Sequence, residues 1–187
     1  MIMKKDYGSK RLLTVRYIPD IGDFSAAAFW DGVLISADFD GDGSDEILLN
    51  TSVNANMARI SRIYKFDGNG LFLFQNLDQY DPGFDYELKP NKEICLSDKK
   101  RSININVDIS AFSDDAFDSD GIYNIGNNTA LNYGNLFSCE LLNDNKFTAL
   151  GTITDSYMNR WCTIKYTFEY DNEHDQMELV GAELTDY

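Results

Sequence analysis

Short runs rich in Val, Ile, Tyr, Phe and Thr recur along the chain, each closed by a cluster of Gly, Asn or Asp. This pattern limits the fold more than any other feature. β-Branched and aromatic side chains suit the pleated, half-buried surface of a strand, and Gly, Asn and Asp supply the turns between strands. Leu12 to Ile18, Gly32 to Ala37, Glu46 to Asn50, Arg59 to Phe66 and Leu71 to Gln75 read this way. So do Ser102 to Ile109, Phe137 to Leu142, Thr148 to Thr154, Trp161 to Tyr170 and Gln176 to Leu184. Helical periodicity is confined to Asp23 to Trp30, where Ala26-Ala27-Ala28 predicts a short helix. The expected fold is all-β, built from antiparallel sheets.

Asp67-Gly68-Asn69-Gly70 lies between two of these runs and predicts a tight hairpin, since its residues tolerate positive φ. Asp171 to Asp175 occupies the same place in a later pair of runs. The two series match as a degenerate repeat. Ile47-Leu48-Leu49, Ile60 to Phe66 and Leu71 to Phe74 align with Ala149-Leu150-Gly151, Cys162 to Tyr170 and Met177 to Val180. A sheet of a few strands cannot cover its own apolar face, so each unit must stack on another. With 187 residues the chain suits a single β domain over 1–187, divisible into sub-repeats 10–88 and 102–187. The join is expected at Leu88 to Ser102, where Pro90 and a Lys/Asp/Arg cluster interrupt the pattern.

Charge excludes some partners. Sixteen Lys and Arg stand against 31 Asp and Glu, a formal net charge of −15, which repels phosphate backbones and anionic headgroups. Neither nucleic-acid binding nor membrane insertion is expected, and no apolar run reaches eighteen residues. One histidine excludes any metal site that needs two imidazoles. Cys95, Cys139 and Cys162 are widely spaced, with no C-x-x-C pair. They read as small buried hydrophobes, with one disulfide plus a free thiol as the alternative. The start, Met-Ile-Met-Lys-Lys-Asp-Tyr-Gly, is basic without an apolar stretch behind it and is not a signal peptide.

The chemistry concentrates in Asp38-Phe39-Asp40-Gly41-Asp42-Gly43-Ser44-Asp45-Glu46, five carboxylates in nine residues. Carboxylates crowded together raise one another's pKa and oppose folding unless a cation joins them. Calcium takes six to eight oxygens at about 2.3–2.6 Å, and a glycine-kinked loop wraps it with alternate side chains. Here Asp38, Asp40 and Asp42 alternate, Gly41 and Gly43 allow the sharp turning, the Ser44 carbonyl is the next oxygen, and Glu46 closes the cage. An EF-hand would place a bidentate Glu at the twelfth position, which is Leu49, and would flank the loop with helices rather than strand-like runs.

The stretch Ala37 to Leu49 resembles the calcium loop of FG-GAP/VCBS-type repeats, found in integrin alpha-subunit propellers and in many bacterial surface and secreted proteins. The resemblance implies calcium held by the side chains of Asp38, Asp40, Asp42 and Glu46 and the main-chain oxygen of Ser44, with Asp45 pointing away. Glu46 departs mildly from a pattern that often has Asp at this position. It also implies a partial propeller-like or sandwich-like arrangement, because a full propeller needs a longer chain. The function expected from it is a calcium-stabilised, non-enzymatic binding or scaffolding module. Its ligand would be a protein or carbohydrate, and its address extracytoplasmic, with a leader absent from this chain; a cytosolic address is the alternative.

Two other functions stay open. One is a hydrolase of carbohydrate or peptidoglycan, or its accessory domain, which predicts convergent carboxylates in a deep pocket away from 38–46. The other is an adhesin whose calcium touches the ligand. Phe117-Asp118-Ser119-Asp120-Gly121 echoes the first loop, with Asp114 and Asp115 nearby, Ala116 in place of the first ligand and Asn124 where Glu46 would fall. It is a second candidate metal site, or an acidic surface loop. Asn143 to Lys146 reads as an ordinary turn, and His174 as an exposed turn histidine without the nucleophile a catalytic role requires.

Overall fold

The computed structural model describes residues 2–7, 10–15, 29–53, 58–124, 131–155 and 157–185. Fourteen strands account for most of them, and no α-helix occurs among the described residues. The fold is all-β, as the sequence pattern predicts. The predicted helix at Asp23 to Trp30 lies outside the described residues except for Phe29 and Trp30, which open a strand. Of the run Leu12 to Ile18, residues 16–18 are likewise outside them.

Strands β1 (Ile2–Tyr7) and β2 (Lys10–Val15) pair as an antiparallel hairpin. Strands β3 (Phe29–Ala37), β4 (Glu46–Val53), β5 (Ala58–Phe66) and β6 (Leu71–Asn76) form an antiparallel meander in chain order. A three-stranded sheet follows, β7 (Asp85–Lys89), β8 (Glu93–Asp98) and β9 (Ile103–Asp108). The last sheet holds β11 (Phe137–Asn143), β12 (Lys146–Thr154), β13 (Arg160–Asp171) and β14 (Gln176–Thr185). Short β10 (Asn132–Tyr133) also pairs with β12.

The six segments aligned as a repeat fall on β4, β5 and β6 and on β12, β13 and β14, joined in the same order by antiparallel hairpins. The stretch Leu88 to Ser102, where the pattern was expected to break, contains the end of β7 and all of β8. The Lys, Asp and Arg residues that interrupt the pattern are the turns of this sheet. Asn91 and Lys92 adopt φ of 64° and 62° at one turn, and Ser102 has φ 56° at the next.

Alternation places the core. In β8, Ile94, Leu96 and Asp98 are buried, and in β9, Ile103, Ile105 and Val107 are buried while the intervening Asn and Asp face water. One contiguous apolar cluster joins these residues to Ile35, Leu48 and Ile63 of the first meander and to Phe147, Ile164, Tyr166, Phe168 and Leu179 of the last. Phe147 and Phe168 stack with ring centroids 4.9 Å apart, and Tyr80 meets Phe168 edge-on at 5.0 Å. The three cysteines are free; Cys139 and Cys162 are buried, and Cys95 is half-buried. Burial pushes both buried thiols up to about 12, so they pack as inert hydrophobes.

Candidate metal centre

The β3–β4 connection is a loop of eight residues closed by the pair Ala37 and Glu46. Its second residue fixes it to the protein. Phe39 is completely buried and meets Phe147 edge-on at 5.8 Å, so the loop is nailed to the core between two aspartates. Burying such a ring contributes roughly 1.5–3 kcal/mol. Gly41 and Gly43 turn the chain with φ of 75° and 90°. A Cβ there would meet nothing within 4 Å, so the need for glycine is conformational rather than spatial.

Carboxylate oxygens of Asp38, Asp40 and Asp42 all lie within 4.8 Å of one another, a group able to hold a metal ion. Backbone N–H groups set their aim. Gly43 N donates to Asp38 Oδ2 at 3.0 Å, Asp42 N to Asp40 Oδ1 at 3.1 Å, and Ser44 N to Asp42 Oδ1 at 2.7 Å. The remaining oxygen of Asp38, Oδ1, is buried and has no hydrogen-bond partner among the described residues. An unpaired carboxylate oxygen removed from water is costly.

Glu46 lies outside the trio. Only 2% exposed, it accepts hydrogen bonds at Oε2 from Phe39 N at 2.8 Å and Asp40 N at 3.3 Å. Burial, reinforced by the negative charge of Asp40, pushes its carboxyl up to about 7. Ser44 is exposed at the loop's outer side. Asp45 accepts from Ser36 Oγ at 2.6 Å and is not one of the convergent trio. The geometry thus brings together three of the five expected ligands and leaves the buried Glu46 on the backbone N–H groups of Phe39 and Asp40.

A cation absent from the sequence reading also enters the site. Lys65 of β5 sets its ammonium 2.5 Å from Asp40 Oδ2, 3.5 Å from Asp175 Oδ1 and 3.9 Å from the Phe74 ring centre. No local motif predicts this, because β5 reaches Asp40 only through the sheet register.

A second group of potential metal ligands, Asp171, His174 and Glu178, converges at the β13–β14 turn. His174 Nδ1 lies 2.6 Å from Asp171 Oδ2 and 3.5 Å from Glu178 Oε1. Its hydrogen bond to Asp171, and that residue's charge, hold the imidazole pKa above its ordinary value. His174 is exposed in a turn, as expected. The sequence reading missed its two carboxylates. Asp171 pairs with Gln176 and Glu169 with Glu178, so Asp171 and Glu178 share one face of the hairpin.

The other candidates disperse. Asp118 Oδ1 caps the N–H groups of Asp120 and Ile122, Asp114 pairs with Lys92 at 2.6 Å, and Asp115 accepts from Ser113. Residues 114–124 therefore bring no ligand group together among the described residues. Asn143 to Lys146 is the β11–β12 turn, with Asn143 Oδ1 accepting from Asn145 N at 3.2 Å. An open depression of about 420 Å³ is lined by Gln79, Asp81 and residues 131–135. It carries one carboxylate, Asp81, whose Oδ1 caps Gly83 N at 2.7 Å, rather than the pair that glycoside hydrolysis uses.

No protein-family model, curated protein or solved structure matches this chain.

Proposed function

We propose that the chain is a calcium-stabilised, non-enzymatic binding or scaffolding module of the FG-GAP/VCBS kind, working outside the cytoplasm. The observation that carries this reading is the buried Asp38 Oδ1, unpartnered among the described residues, within a convergence of three aspartates. A hard dication meets that oxygen and relieves the mutual repulsion of Asp38, Asp40, Asp42 and Glu46. The all-oxygen donor set suits calcium rather than a softer metal. Glu46 and the Ser44 carbonyl would complete the coordination, and protein or carbohydrate would be the partner of the module.

Calcium here is chiefly structural, tying β3 to β4 at the loop that Phe39 anchors. An ion bound only by the folded loop adds RT ln(1 + [Ca]/Kd), about 2.7 kcal/mol at a hundredfold excess over Kd. Weak sites of about 10⁻⁴–10⁻³ M suffice outside cells, where calcium is abundant. Calorimetric melting in EDTA and in millimolar calcium tests the reading. The midpoint should rise with calcium and not with ionic strength alone; an unchanged midpoint removes it.

A second reading is favoured by the exposure of residues 41–45 along the outer side of the loop. An ion held by Asp38, Asp40 and Asp42 would keep a solvent-facing position for a ligand oxygen. In that adhesin-like case chelation abolishes ligand binding while the melting transition persists.

A further inference from the structure

We infer that Lys65 is the internal counter-cation of the acidic loop. It yields Asp40 to an incoming divalent ion by shifting its ammonium to Asp175, so that loading the loop tightens the β13–β14 hairpin. This rests on the calcium reading above. The ammonium occupies Asp40 Oδ2 at 2.5 Å while Asp40 Oδ1 already accepts from Asp42 N, so both Asp40 oxygens are engaged by protein donors. A metal at about 2.4 Å from either oxygen would stand next to a positive charge of the same site, and the two cations repel strongly at such range.

The lysine has somewhere to go. Asp175 Oδ1 is 3.5 Å away, and closing to an ordinary ion-pair contact of about 2.8 Å needs only a small swing of the side chain. Tyr170 Oη donates to that same Asp175 oxygen at 2.6 Å, which fixes the receiving carboxylate. The Phe74 face, 3.9 Å from the ammonium, stabilises the charge beside both carboxylates. Asp175 itself sits at φ 51° in the turn after β13, so strengthening its ion pair steadies the turn.

Calcium titration calorimetry on the full chain, with K65M, K65Q, D175N and K65M/D175N, tests the inference. K65M and K65Q should bind calcium at least fivefold more tightly than wild type. D175N should bind two- to threefold more weakly, and that loss should disappear in the K65M background. Amide exchange at 172–176 should slow on adding calcium in wild type and not in K65M. Should K65M fail to fold, K65Q carries the comparison. Wild-type binding with unchanged or weaker affinity in the lysine variants overturns the inference and leaves the calcium reading standing. A D175N loss that persists in the K65M background also overturns it. Wild type that binds no calcium at millimolar concentration overturns the calcium reading, and the inference with it.

Discussion

Asp38, Phe39 and Asp40, where the chain leaves β3 and bends, divide between two environments. The ring of Phe39 points into the core against Phe147, and the flanking carboxylates converge with Asp42 on the other side. The backbone N–H groups of that bend, donating to Asp38, Asp40 and Asp42, aim the ligands. Asp38 is where the two environments conflict, since Oδ2 is held by Gly43 N while Oδ1 is buried without a partner among the described residues. Replacing Asp38 by Asn removes a ligand and the charge while retaining the shape. The rise in melting midpoint on adding calcium should vanish in D38N. In EDTA its stability should stay within about 1 kcal/mol of wild type, because an unpaired buried charge is lost along with one hydrogen bond. Paired calorimetric scans check both halves of this expectation.

At the scale of elements, the β12–β13 connection shows how a short loop is held by one side chain. Asp155 is completely buried, yet its carboxylate accepts from Tyr123 Oη, Tyr157 N, Asn159 N and Asn159 Nδ2, each at 2.8 Å. Burial alone would raise its pKa; the Asn159 side chain and the other donors outweigh it and leave the pKa below the ordinary 3.8. A carboxyl with a lowered folded pKa stabilises fully above its unfolded value and loses that contribution as pH falls through the folded one. D155N should therefore cost about 1–3 kcal/mol at neutral pH. Its disadvantage should shrink below pH ~4, so that wild-type and variant denaturation curves approach each other in acid.

The same scale shows what the sequence made legible. β3 to β6 and β11 to β14 are long enough, and rich enough in β-branched and aromatic residues, to be read directly. β7 and β8 carry no such run. β8 presents only Ile94 and Leu96 as large apolar residues on its inner face, and the charged turns at Asn91-Lys92 and Lys99 to Ser102 dominate its neighbourhood. The acidic loop was legible because its ligands are contiguous. Lys65, 25 residues from Asp40, and Glu178, across the hairpin from Asp171, were not, since only strand register brings them in.

Across the whole molecule, both acidic clusters lie close together and each has a nitrogen group of its own, the Lys65 ammonium in one and the His174 imidazole in the other. Asp175, at the turn that carries His174, pairs with the lysine that serves the loop, and Tyr170 holds that carboxylate. Nearby, a side chain ties the two meanders. Gln75 of β6 donates from Nε2 to Met177 O at 2.9 Å and accepts at Oε1 from Met177 N at 2.8 Å, so its amide pairs with β14 as a strand would. Gln75→Leu leaves both backbone groups of Met177 without that partner and should cost about 1–3 kcal/mol. How that cost appears depends on cooperativity. The apolar cluster runs without a break from Ile35 through Ile94 and Leu96 to Phe168 and Leu179, so the sub-repeats 10–88 and 102–187 share one core. A shared core predicts a single calorimetric transition whose calorimetric and van't Hoff enthalpies agree, in EDTA as in calcium. Gln75→Leu should lower that one midpoint without splitting it. Two separable transitions, with only the first responding to calcium, would instead assign independent folding to the two sub-repeats and confine the ion's effect to the meander that carries Asp38.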